Sequence, residues 1–355
     1  MAAMPERTRT PIRSAVLLAA ASALAFGVTT PMIARLGGGT KPLTTAALLY
    51  AGAALVSLAL RPFSKRSGRT LTRDALPRLL LIGLVGASLA PVLLVVGLAR
   101  AGATGTSLVL NFEALFTVLF AWLMYREPIG KRVMFALLVM AFGGALVAID
   151  GWQSGEAGRA LGLFAVFGAT ACWALDNTLT RGLSDRDPGD VVAAKGALGA
   201  IVTGSLTLVF REPWPSSAQA LGLLLCGATG YGMSLRLYLI AQRRMGAART
   251  ASVFATGPFL GAVLGWLLGD HGAGMGTALG ALAFGVGVYL HATERHAHRH
   301  VHATIDHEHP HRHDDGHHDH VHNPPVAGEH THPHHHDRVE HDHEHAPDVD
   351  HEHTH

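Results

Sequence analysis

A carboxylate in the middle of a long apolar run is the residue best placed to do chemistry in this chain of 355 residues. Glu113 sits eleven positions from either end of such a run, with Asn111 two residues before it and Thr117 one turn later on the same helical face. Charges inside apolar segments are costly and mark transport pathways. Glu113 therefore reads as the holder of a coupling proton or a cationic substrate, or else as a carboxyl that caps a neighbouring helix or bonds a hydroxyl. Asp176 lies in another apolar run, one turn after Trp173 and beside Asn177. At the helical rise it stands roughly 10 Å from the end of its helix. Arg236 falls at about that depth in a different run, so the two are expected to form an ion pair, structural or acting as a gate; alternatively Arg236 snorkels to the headgroups. Lys195, close to the edge of its run, reads as a snorkelling lysine. Tyr231, Ser234 and Tyr238 share one face, which lines a polar cavity or forms an interfacial belt.

The second concentration of chemistry is at the C-terminus. All but one of the 25 histidines, His271, lie from His291 onward, and acids there outnumber arginines more than threefold. Alternating steps place His296, His298, His300 and His302 together, then His307 with His309, His341 with His343 and His345, and His351 with His353 and His355. Imidazole and carboxylate together suit Zn²⁺, Ni²⁺ and Co²⁺, and also Cu²⁺. No fixed four-ligand spacing recurs and almost nothing there is apolar. The tail is therefore expected to be disordered and to bind metal diffusely, with pH sensing as a lesser role.

These residues are positioned by segments long enough to cross a bilayer, which takes about 20 helical residues. Apolar windows between charged or Gly/Pro breaks predict ten spans: 14–34, 43–60, 76–98, 102–124, 133–149, 160–182, 190–210, 218–241, 247–268 and 273–291. Helices are the economical way to satisfy the backbone in lipid, so the fold class is an all-α integral membrane protein. Seventeen Lys and Arg occupy alternate connections, against five on the other side: Arg35, Lys41, Arg100, Arg159 and Arg211. That bias puts both termini, and so the tail, in the cytoplasm. The basic start and small residues of the first span also resemble a signal peptide, but its cleavage would reverse the charge pattern. Cys172 and Cys226, inside apolar runs, read as small buried side chains. Gly257, Gly261, Gly265 and Gly269, then Gly272, Gly276 and Gly280, form small-residue faces for close helix packing. Pro31 and Pro91 are expected to break helices.

Residues Arg100–Thr106 lie over Arg244–Thr250 at an offset of 144, and Val109 over Val253 and Trp122–Leu123 over Trp266–Leu267 at the same offset. Five spans per half is an odd number, so the second half enters the membrane inverted, an architecture typical of secondary transporters. The halves are read as residues 1–150 and 151–291, with a tail over 292–355.

The stretch Ala101–Glu127, with its small-residue entry, Glu113 mid-helix and Glu127 closing the span, resembles the EamA-type members of the drug/metabolite transporter superfamily. The likeness covers residues 14–291. Ala114 stands where that pattern usually has Pro; the second half has Pro258 but carries Gly257 where Glu113 lies, and closes in Asp270 or His271. The resemblance implies ten helices with both termini inside and fixes no substrate, since members export amino acids, drugs and metabolites alike.

The function expected is a secondary transporter, an exporter in the cell membrane of a bacterium, moving a small molecule or a divalent transition metal. Its tail would collect Zn, Ni or Co, and no cofactor would be required. One alternative is general metabolite or amino-acid export with a passive, metal-buffering tail; another is a membrane-anchored metal store or sensor. Neither a nucleophile motif nor a phosphate-binding loop speaks for an enzyme. The expected partners are the bilayer, the cargo and a second copy in a homodimer, with no nucleic acid.

Overall fold

A computed structural model describes residues 9–63, 70–126, 129–153, 158–183, 186–245, 247–292, 297–302, 305–311, 330–336 and 339–344. It divides the chain into a helical unit and a tail unit that meet between Glu294 and Arg295. In chain order the first unit contains α1 (Arg9–Leu36), α2 (Pro42–Leu60), α3 (Leu76–Leu84), α4 (Ala90–Val109), α5 (Phe112–Tyr125) and α6 (Lys131–Gln153). It continues with α7 (Arg159–Thr180), α8 (Pro188–Val209), α9 (Ser217–Cys226), α10 (Ser234–Met245), α11 (Ala247–Phe254), α12 (Gly257–Leu267) and α13 (Met275–Ala292). Among the described residues, seven helical stretches are long and apolar enough to cross a membrane and three shorter ones are apolar. Large apolar side chains such as Leu17, Phe142, Leu208 and Val209 stand exposed on the outside, as a lipid solvent requires and water would not favour. The chain is a multi-pass helical membrane protein.

Two of these stretches contain a π-helical turn, Val85–Leu89 between α3 and α4 and Gly227–Met233 between α9 and α10. Each shifts the hydrogen-bond ladder by one residue and leaves carbonyls for side chains to use. Two other stretches are broken. Gly102, at φ 74 and ψ 174, turns the chain inside α4, a backbone conformation that a side chain disfavours. The short helix after it ends at Leu110–Asn111, and α5 begins at Phe112. The helix expected over 102–124 is therefore two pieces. At the corresponding place in the second half, Ala255 and Thr256 separate α11 from α12. Pro91 follows the first π turn, whereas α1 runs through Pro31 without interruption, contrary to the break expected there.

The helices pair in a pattern that repeats between halves. α2 packs on α8, α6 on α13, α4 on α7 and α1 on α10, while α5 lies on α7 and α12 on α1. Small residues let the backbones approach: a Cβ on Gly257 would stand 2.8 Å from the Ala23 carbonyl, and one on Gly261 would stand 2.7 Å from that of Gly27. Ser22 and Ser234 exchange hydrogen bonds between α1 and α10, each hydroxyl donating to the other's carbonyl at 2.7 and 2.9 Å. Cys172 and Cys226 are free thiols, Cys226 buried.

The helix ends are fastened by two chemistries. At the ends rich in Lys and Arg, Arg61 pairs with Asp190 at 3.3 Å and Arg186 with Asp74 at 2.8 Å. Arg186 also donates to Thr70 and Thr72, and Arg243 donates to the Arg186 carbonyl. At the opposite ends, carboxylates cap helix N-termini. Glu212 accepts from the Thr44 amide and hydroxyl at 2.8 and 2.9 Å, and Asp270 from the Thr104 amide at 2.6 Å. Asp150 accepts from the Gly274 and Gly276 amides and the Thr277 hydroxyl, at 2.8, 3.2 and 2.5 Å. All three join one half of the chain to the other.

In the tail, the alternating pattern that gives the histidines their spacing is also the period of a strand. β1 (Ala297–His302) pairs antiparallel with β4 (Val339–Glu344), with His300 opposite His341. β2 (Ile305–His311) pairs antiparallel with β3 (His330–His336), with His309 opposite His332. His298, His300, His302, His307, His309, His341 and His343 are placed by their backbone alone. Glu127, His296, His345, His351, His353 and His355 lie outside the described residues.

Candidate functional site

The two breaks are built alike and meet at one cavity. At the first, the Asn111 amide group donates to the Leu108 carbonyl at 2.9 Å; at the second, the Thr256 hydroxyl donates to Val253 at 2.7 Å. Each side chain adds a second donor to a carbonyl that already accepts the same residue's backbone amide, at 3.1 and 3.2 Å. Between them lies a cavity of about 180 Å³ lined from both halves, by Asn111, Glu113 and Thr117 on one side and Tyr231, Ser234, Tyr238 and Pro258 on the other. All seven are residues named from the sequence, as are Trp173 and Asp176, which line it too.

α7 presents Trp173, Asp176 and Asn177 to the cavity at i, i+3 and i+4, one face of a helix. The Asn177 amide group donates to Glu113 Oε1 at 2.6 Å. Thr117 bonds the Glu113 backbone carbonyl rather than its carboxylate. The partner of Glu113 is therefore an amide, neither the helix end nor the hydroxyl considered from the sequence. Asp176, wholly buried, takes Lys195 of α8 as its ion-pair partner, and Thr180 adds a hydrogen bond at 3.3 Å. This corrects two expectations. Asp176 does not pair with Arg236, and Lys195 is buried rather than snorkelling. The reason is lateral: α7 and α8 both pack on the π turn Val85–Leu89, and Lys195 reaches Asp176 there, whereas Arg236 stands with Asp187, Asp190 and Arg61 around a separate, smaller cleft. Depth alone could not separate the two bases.

The first π turn supplies the remaining order. The Gly86 carbonyl accepts from both Trp173 Nε1, at 2.9 Å, and the Tyr50 hydroxyl, at 2.8 Å. A Cβ on Gly86 would lie 2.3 Å from the Asp176 carboxylate, so only glycine fits against it. Six aromatic rings surround the cavity: Phe26 lies 6.2 Å from Trp173, 6.3 Å from Tyr231 and 5.2 Å from Phe254, while Tyr50 lies 5.4 Å from Tyr231 and Tyr238 5.1 Å from Phe254. Among the described residues, the Tyr231 hydroxyl and Asn111 Oδ1 are buried in this wall without a hydrogen-bond partner. Sequence reasoning missed Phe26, Tyr50 and Phe254. Tyr50 left a signal, a polar aromatic set among Ala, Leu and Gly; the two phenylalanines left none.

Chemically, the site holds two carboxylates and one ammonium within an aromatic shell, so with all three ionised it carries one excess negative charge. Such a lining suits the binding of a small molecule.

A curated relative, an "Uncharacterized transporter" of Methanothermobacter thermautotrophicus, is 28% identical over 197 residues, 54% of this chain. The chain spans just over half, 57%, of that relative's length. One protein of known crystal structure superposes with a TM-score of 0.58 at 18% identity, over 78% of this chain and 95% of its own, which is a likeness of fold. The profile of the EamA-like transporter family matches twice, over residues 13–149 and 160–293, and the chain belongs to that family.

Proposed function

We propose that the chain is a secondary transporter that exports a small organic molecule by alternating access. In this reading it crosses the membrane ten times as two inverted halves, residues 1–150 and 151–291. Both termini lie in the cytoplasm of a bacterial cell, and the tail over 292–355 collects Zn²⁺, Ni²⁺ or Co²⁺. One observation carries the reading: the cavity lies where two broken helices from different halves meet, with Glu113 in its wall. Broken helices at a repeat interface are where such proteins hold their cargo. The repeated helix pairing supports the inverted halves, and the bias of Lys and Arg supports the orientation. The carboxylate caps close the face opposite the basic one, and the lining includes Lys195 and Tyr238 toward the basic ends, which fits a cavity that opens to the cytoplasm.

A metal ion as cargo is the second reading, favoured by the histidine-rich tail. The cavity favours an organic molecule instead. Its walls are largely aromatic, one of its acids is taken by Lys195, and among the described residues no three His, Cys, Asp or Glu side chains cluster as metal ligands would. The test is the internal level of amines, amino acids and metal ions in cells lacking or overproducing the protein. A compound that accumulates on deletion and falls on overproduction is the expected result. If no internal level responds, the transporter reading fails.

A further inference from the structure

We infer that the molecule bound in this cavity is a protonated primary amine carrying a flat apolar body; the inference rests on the transporter reading for its biological meaning, but on the cavity alone for its chemistry. Three independent features converge. Charge is the first. Asp176 is balanced by Lys195, whereas the carboxylate of Glu113 has an amide for its partner, so a monovalent cation completes the site and an anion does not. The second is the aromatic shell. Trp173 and Tyr231, with ring centroids 6.0 Å apart, stand with Phe26 around the same space, and aromatic faces attract ammonium groups and repel anions. Their area also asks for an apolar body to cover it.

The third feature chooses the kind of cation. Buried polar atoms are normally hydrogen-bonded, and here the Tyr231 hydroxyl and Asn111 Oδ1 await partners in the cavity wall. A primary ammonium carries three N–H donors, enough for Glu113, Asn111 Oδ1 and the Tyr231 oxygen together. A quaternary ammonium has none and would leave both atoms unmet. A divalent metal would find one uncommitted carboxylate and a ring of hydrocarbon. The volume of about 180 Å³ lies below the 300–1,000 Å³ of typical drug-sized sites, which limits the body to about one ring.

The experiment titrates the purified full-length chain calorimetrically with 2-phenylethylamine, 2-phenylethanol, 3-phenylpropanoate, phenyltrimethylammonium and Zn²⁺. The amine should bind at least about tenfold more tightly than the neutral alcohol or the quaternary ion, the effect of leaving one buried polar partner unmet. The carboxylate should not compete. Glu113→Gln should lose the preference for amine over alcohol while keeping the weak binding of the alcohol, which serves as its control for folding. Asn111→Ala should weaken the primary amine more than the quaternary ion. Equal binding of amine and alcohol, tighter binding of the carboxylate, an undiminished preference in Glu113→Gln, or no amine binding at all would overturn the inference. Liposomes loaded with labelled amine keep the two readings apart. Selective binding without movement across the bilayer sinks the transporter and keeps the amine, while movement of other cargo with no amine selectivity does the reverse. Zn²⁺ binding that survives deletion of the tail and is abolished by Glu113→Gln would assign the cavity to metal instead.

Discussion

The two broken spans begin with the same device and end with different chemistry. In the first, Asn111 holds the Leu108 carbonyl and Glu113 follows, projecting a charge into the cavity. In the second, Thr256 holds Val253 and Gly257–Pro258 follow, with no charge and with the backbone pressed against α1. A Cβ on Gly27 would lie 2.3 Å from the Gly257 carbonyl. In the proposed function the first break serves recognition and the second is a close-packed seam, so a likeness between the halves does not carry over to the roles of their parts.

That division can be broken most sharply at the charge. Glu113→Gln should lower the rate of cargo movement in liposomes at least about tenfold, the equivalent of some 1.4 kcal/mol, with the melting temperature unchanged. Full movement by the variant would dissolve the distinction between the two breaks. Next in size is the buried pair behind the first break. Asp176→Asn and Lys195→Met should each destabilise the protein by about 3–5 kcal/mol, and the double variant by less than their sum, read by thermal unfolding in detergent. Strict additivity would mean that the two side chains do not act together. Gly257→Ala should cost about 1–3 kcal/mol by overpacking against Ala23, with the affinity for cargo kept, because the seam is mechanical. Thr256→Val removes one exposed hydroxyl bond and should cost under about 1 kcal/mol. Truncation after Arg295 should have the smallest effect on transport, none measurable. The intact chain should bind several Zn²⁺ or Ni²⁺ ions that the truncated one does not. Affinity should fall from about pH 7 to 5.5 as imidazoles of pKa near 6.5 gain protons and lose their donor pair. Equal metal binding by both would place the metal site in the helices.

The apolar helices were legible because a run of apolar residues of bilayer length has few other uses, and Arg100–Thr106 over Arg244–Thr250 at one offset foreshadowed the twofold match to the family. Glu113 was legible for the same reason that it is costly. What escaped was lateral. Sequence gives the depth of Lys195 and Arg236 but not which of them is turned toward α7, and the difference decides the partner of Asp176. The π turns escaped as well, since Val85–Leu89 reads as ordinary apolar helix until Tyr50 and Trp173 are seen to share the Gly86 carbonyl.

The three carboxylates that cap helix N-termini opposite the basic ends have a bearing on how the protein is made. A membrane protein is oriented during synthesis by where its lysines and arginines fall, since acids count for little in that decision. Had Asp150, Glu212 and Asp270 been held by arginines, as Asp74 and Asp190 are, each fastening would, in the proposed orientation, have put a basic residue on the side that passes through the membrane. Backbone amides carry no such signal. The halves can be tied together on that face without eroding the asymmetry that the insertion machinery reads.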